Sequence, residues 1–218
     1  MVSNGQNGSG SHAAHVGHDH DDGPDRRREP PPPPVHELAE ACVRFVERAI
    51  GVKLDYEPET LPLLDHYLAE ARAAAPERPE ARALVAHAAG AYFGEVVRRR
   101  YPSWWRIGDA ADDPGAWRIE LEPVFLSFSP AQLVADALAN EGEVSEPEAR
   151  ERLELEDDDR GAVAARLADL PEVREEELRA PSTWLEVIDI AVDAIRARRL
   201  GEGEADAHLG PGDYDPAG

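Results

Sequence analysis

Trp117-Arg118-Ile119-Glu120-Leu121-Glu122 alternates apolar and charged side chains, whereas the segments on both sides repeat their apolar positions at helical spacing. A period of two sends successive side chains to opposite faces of a strand, so Trp117, Ile119 and Leu121 are predicted to face a core and Arg118, Glu120 and Glu122 to face water. Asp113-Pro114-Gly115 just before it is a turn signal, and the apolar run from Trp104 to Ile107 precedes that turn. A hairpin is the simplest reading. Val124 to Phe128 adds a third strand, after which Ser129 caps a helix with Pro130 in its first turn.

Upstream the period becomes helical. Leu38, Cys42, Phe45, Val46 and Ala49 share one face of a first helix that Gly51 stops. A second helix enters through Pro58 and Pro62 and presents Leu61, Leu64, Leu68 and Ala71. A third, from Glu80 to Arg99, carries Gly90 and Gly94 one turn apart, which permits another backbone to approach closely at about 1 kcal/mol of helix propensity per glycine. Its stripe of Leu84, Ala88, Ala91 and Tyr92 is interrupted by Glu95, and Arg98, Arg99 and Arg100 suit the negative end of the helix dipole. Downstream the acidic half carries a weak helical segment near Pro147 to Leu155 and a short helix around Ala162 to Leu167. A final helix has Thr183 and Glu186 as its capping box and Leu185, Ile188, Val192 and Ile195 as its apolar stripe.

The predicted class is α+β: a mostly helical single domain over residues 35–200 with a small antiparallel three-stranded meander. Residues 1–34 read as a disordered His/Asp- and Pro-rich leader, and 201–218 as a disordered acidic tail, because neither holds enough apolar surface to offset the entropy of ordering.

Charge narrows the function classes. Residues 141–218 hold 23 acidic against 9 basic side chains, which is −14 of the formal −22. Such a field repels phosphate backbones and anionic lipid surfaces, so neither nucleic acid nor membrane is expected as a partner, and a basic protein is the natural counterpart. Cys42 is the only cysteine and sits in a helical pattern, leaving no internal disulfide or thiolate metal site. The opening residues lack an apolar run of the secretory type, so the expected compartment is the cytoplasm.

Three groups of residues together resemble a family of uncharacterised bacterial proteins defined only as a domain of unknown function. They are Leu54-Asp55-Tyr56 with Glu59-Thr60-Leu61 and Leu64-Asp65; Gly90-Ala91-Tyr92-Phe93-Gly94-Glu95-Val96 followed by Trp104 or Trp105; and Leu170-Pro171 with Trp184-Leu185-Glu186-Val187. The Gly-Ala-Tyr-Phe-Gly-Glu-Val run is the most specific. Trp184 departs from the arginine or small polar residue expected there. The resemblance implies domain boundaries and no chemistry.

Glu95 is the anomalous position, since a carboxylate in an apolar stripe needs a partner or a task. A structural pairing with Arg118, Arg106 or His87 is the favoured reading. Its rival is an enzyme that uses Glu95 as a general acid or base with Asp65 or His87 in an interhelical pocket. His12, His15, His18 and His20, interleaved with Asp19, Asp21 and Asp22, are candidate metal ligands without a fixed geometry; no metal or other cofactor is expected. Arg98 to Arg100 with Tyr101, Trp104, Trp105 and Arg106 form the basic and aromatic cluster, read as a helix end plus core tryptophans. The leading expectation is a non-enzymatic protein that binds another protein through its acidic C-terminal half.

Overall fold

A computed structural model describes residues 29–74, 79–108, 112–140, 152–169, 175–205 and 207–215. Residues 1–28, which include the four histidines of the leader, lie outside them, whereas the end of the predicted leader is already helical. Helix α1, Pro33–Ile50, starts inside the proline run, where two missing amides fall on positions that have no intrahelical partner anyway. It ends at Gly51, whose φ of 76° is left-handed. A 3-10 turn, Pro58–Thr60, leads into α2, Leu61–Ala74, and α3 runs from Pro79 to Arg100.

The sheet has four strands, not three: β1 Ser103–Arg106, β2 Arg118–Leu121, β3 Leu126–Phe128 and β4 Glu154–Leu155, all antiparallel neighbours in that order. The fourth is a two-residue edge too short to show a period, within a stretch expected to be helical. Helix α4, Pro130–Ala137, follows β3, with Ser129 accepting from the Gln132 amide as expected. After β4 come α5, Asp157–Ala168, the single turn α6, Glu175–Leu178, and α7, Pro181–Gly201. The predicted capping box on α7 is absent: Ala180 is the N-cap and Pro181 the first helical residue, which puts Thr183 already inside the helix.

Register divides the sheet into two chemical faces. Trp105, Ile119 and Phe128 form one cross-strand row, and Ile119 and Phe128 are in the core with Leu121, against α3 and α4. Trp104, Glu120, Ser127 and Glu154 form the adjacent row on the opposite face. That face was expected to be solvated. Instead Glu120 is only 2% exposed, because the residues after α7 fold back over it.

The returning segment contradicts the predicted disordered tail across its described residues. Leu209 donates its amide to the Glu122 carbonyl at 2.9 Å, and a 3-10 turn, Pro211–Tyr214, follows. The Tyr214 hydroxyl lies 2.7, 2.9 and 3.2 Å from the carbonyl oxygens of Leu121, Val124 and Leu126 and accepts the Leu126 amide at 2.9 Å. Its ring stacks on Phe125 and meets Trp104 edge-on. Tyrosine suits the place because one end is apolar and the other reaches exposed turn carbonyls.

Helix α3 is the central support, in contact with α1 and α4. The two glycines do what their spacing promised. A Cβ on Gly90 would sit 2.5 Å from the Ala131 Cα, so the start of α4 crosses there, and a Cβ on Gly94 would collide with the Trp105 ring. The predicted stripe is corrected at its N-terminal end, since Leu84 is 51% exposed. On α1 the buried set is Val35, Ala39, Cys42, Val43 and Val46, with Leu38 and Phe45 half-buried at its edge. No described helix is long and apolar enough to cross a membrane.

Candidate functional site

Glu95 is 1% exposed, and its partner is none of the three expected. Arg98, one turn on, donates from Nε to Oε1 at 2.8 Å and from Nη2 to Oε2 at 2.9 Å, a two-pronged pairing that matches guanidinium to carboxylate. The Trp105 indole N–H adds 2.8 Å to Oε1. Gly94 makes this possible, because only without a side chain there can the indole lie across the helix and reach its neighbour. Arg98 reads in the sequence as a helix-end charge, which hid this role.

The other expected partners are committed elsewhere. Arg106 pairs with the buried Glu120 and reaches Asp215 at 2.8 Å and the Pro211 carbonyl at 2.5 Å. The Trp104 indole completes Glu120 at 2.6 Å. Arg118 bonds the Ser127 hydroxyl at 2.5 Å and pairs with Glu154. His87 sits eight residues before Glu95, about 12 Å along the helix axis, too far for direct proton transfer. Asp65 faces α7, where its Oδ1 accepts the Ser182 amide at 3.3 Å; burial pushes its carboxyl above the usual range, while the Ser182 hydroxyl and amide pull the other way. Its neighbour His66 pairs at the surface with Glu70. Glu95, Asp65 and His87 are therefore not brought into one site. Two surface grooves, of about 710 and 500 Å³, are not lined by Glu95 or Asp65.

Two of the sequence stretches, Leu54 to Leu61 and Gly90 to Val96, do converge. The Tyr56 and Tyr92 rings stack with centroids 4.8 Å apart, and the Tyr92 hydroxyl accepts the Tyr56 amide at 2.9 Å. Thr60 bridges Tyr92, at 3.2 Å, to Asp55, at 2.9 Å, and the Arg99 guanidinium lies 4.0 Å from the Tyr56 ring centre. Tyr56 has a φ of 68°, the one left-handed non-glycine among the described residues. Bonds to the Glu57 amide and the Thr60 hydroxyl hold the Asp55 carboxyl below its usual range. These contacts lock the entry of α2 onto α3. All polar atoms named here answer one another, so the cluster reads as architecture.

Two further buried acids escaped the sequence reading: Asp159 ends the acidic run Glu156 to Asp159, and Asp136 is a lone acid in the apolar helix α4. Asp136 takes two bonds from Arg152, at 2.7 and 2.8 Å. Asp159, fully buried, takes Arg198 at 2.7 Å with Arg199 at 3.7 Å. Around this last pair α5 and the end of α7 present Glu156, Asp157 and Glu202, which are 50, 99 and 52% exposed by side chain. Among the described residues no cluster of three or more His, Cys, Asp or Glu side chains is arranged to hold a metal ion.

Comparison with known proteins found no matching family model, curated protein or solved structure.

Proposed function

We propose that the protein is a non-enzymatic cytoplasmic protein that binds a basic protein partner through the acidic surface of its C-terminal half. The supporting observation is the inward commitment of Arg198 and Arg199. Both reach Asp159 and keep side-chain exposures of only 19 and 12%. These cations thus serve a buried charge first, and the outer pairs they and Arg160 make, Arg198 with Glu202, Arg199 with Glu156 and Arg160 with Asp157, leave those carboxylates 52, 50 and 99% exposed next to Asp158. Exposed acids of one sign steer a basic partner and set its association rate more than its final affinity.

The alternative, an enzyme built on Glu95 with Asp65 or His87, has less support. Glu95 is already paired twice over, and the other two groups lie on separate surfaces.

An arginine-rich peptide is the probe. Its binding, followed by calorimetry, is expected to weaken as salt rises. Neutralising Asp157, Asp158 and Glu202 together should cost about tenfold in affinity. Neutralising Glu37, Glu47 and Glu57, which are exposed elsewhere, should leave affinity nearly unchanged. Equal losses from both sets would reduce the effect to net charge and sink the proposal.

A further inference from the structure

The polar face of the sheet carries more aromatic surface than a solvated face needs. Trp104 on β1 and Phe125 in the loop between β2 and β3 stay half-buried even with Tyr214 seated over them. Without that cover the two rings stand open, and an exposed aromatic pair rimmed by polar groups marks a surface that takes a protein segment. The polar groups beneath are placed by the strands themselves. Glu120 on β2 takes the Trp104 indole at 2.6 Å and pairs with Arg106, both on β1, and neither bond involves the cover. The face is therefore largely formed before anything lies on it.

The cover is built like a ligand on a tether rather than like a core element. Residues 207–215 are the last described stretch of the chain; none of them is buried, and His208, Pro211, Gly212, Asp213 and Asp215 are exposed. One side chain, Tyr214, makes the central contacts, which is how an anchor residue seats a peptide in a recognition site. Its hydroxyl meets the carbonyls around the β2–β3 turn and the Leu126 amide, a place that phenylalanine cannot satisfy. Its ring fills the slot between Phe125, with centroids 4.4 Å apart, and Trp104, at 5.7 Å. Arg106 reads the next residue, Asp215, at 2.8 Å, and the Pro211 carbonyl at 2.5 Å. The Asp213 carboxylate accepts the Gly210 amide at 2.7 Å and so holds the turn that presents the ring. Between α7 and this segment the chain turns at Gly203, whose φ is 76°.

We infer that this face is a peptide-binding site, occupied in cis by residues 207–215, whose partner is a protein segment that presents a tyrosine followed directly by an acidic residue. A short tether holds its ligand at an effective concentration in roughly the millimolar range, so a modest intrinsic affinity keeps the site filled. An incoming segment of the same chemistry binds with an affinity reduced by the fraction of molecules in which the site is open. Recognition here uses Arg106 and aromatic rings, not the acidic surface proposed above.

The test uses the full chain and a fluorescein-labelled peptide with the sequence of residues 207–215, followed by fluorescence anisotropy. Tyr214→Ala empties the face, lets water reach the Leu126 amide, and should bind the peptide at least about tenfold more tightly than the parent chain does. Asp215→Asn, at a side chain 62% exposed, loosens the cover without burying an unpaired group and should give a smaller gain. Circular dichroism melts check that both variants keep their helices. The Leu126 amide signal in NMR should move when the peptide binds, and the same peptide carrying Tyr214→Phe should bind about tenfold more weakly. Three results would each overturn the inference: no binding to Tyr214→Ala up to about 1 mM peptide, equal affinity in the parent and both variants, or equal affinity for the tyrosine and phenylalanine peptides. A parent chain that forms dimers by a Tyr214-dependent exchange of its own C-terminal segment, seen in sedimentation, would assign the face to a second copy and overturn the partner.

Discussion

Converting Glu95 to glutamine keeps its shape and removes half of a buried ion pair. Arg98, 5% exposed, then loses the carboxylate that takes two of its bonds, so the variant should lose about 3–5 kcal/mol in urea denaturation. A variant as stable as the parent would mean that Arg98 swings out to water. The sequence revealed the anomaly at Glu95 because its neighbours are apolar, yet it could not reveal the answer, since Arg98 also fits the end of a helix. Glu120 was misread for the converse reason. Alternation predicts a solvent-facing side chain, and nothing local announces a cover arriving from Tyr214. Asp65 offers a pH test. Burial raises its carboxyl in the folded chain, so the native state holds its proton at a higher pH than the unfolded state does. That contribution is complete below the unfolded carboxylate range and is lost as pH rises through the folded value. Asp65→Asn, which keeps an acceptor for the Ser182 amide, should therefore gain on the parent between about pH 3 and pH 7 in thermal melts.

Helices were more legible than strands, because each brings its own stop signals. Gly51 ends α1, Ser129 caps α4, and the glycine pair on α3 marks a crossing. Gly90→Ala tests that crossing. Alanine normally favours a helix, but here its Cβ meets the backbone of α4, which cannot rotate aside, and a net loss of about 2 kcal/mol is expected in thermal unfolding. Gly94→Ala displaces the Trp105 side chain and with it a bond to Glu95, so its cost should not add to that of Trp105→Phe. The strands failed where they depend on distant sequence. A two-residue edge such as β4 has no period to detect, and it exists because β3 offers it a ladder. The C-terminal 3-10 turn is held by one hydroxyl beneath three carbonyls, and Tyr214→Phe should cost about 1–3 kcal/mol by leaving the Leu126 amide without its acceptor.

Taken together, the packing turns a strongly acidic chain into a frame of inward-facing charge pairs, and the tyrosines report on it. All five have hydroxyls pushed above their ordinary value, burial being the largest cause at each, and Tyr101, which donates to Asp189 at 2.6 Å, reaches about 12. A raised pKa means that the folded chain keeps protons that the unfolded chain releases. Stability is thus fully present below about pH 10 and falls as pH climbs toward the folded values. Phenolate absorbance is expected to stay flat past the usual tyrosine range and then rise in one cooperative step with unfolding. A gradual rise at ordinary pH would show the rings to be open to water.

The inward arginines also govern how the chain can be cut. Trypsin cleaves after lysine and arginine, and this protein has a single lysine, Lys53, exposed in the loop before α2. Arg98, Arg179, Arg198 and Arg199 are withheld in helices or buried contacts, so their bonds become accessible only when the structure opens. Among the described residues, digestion should begin after Lys53. The later order of fragments would record which charge pair lets go first.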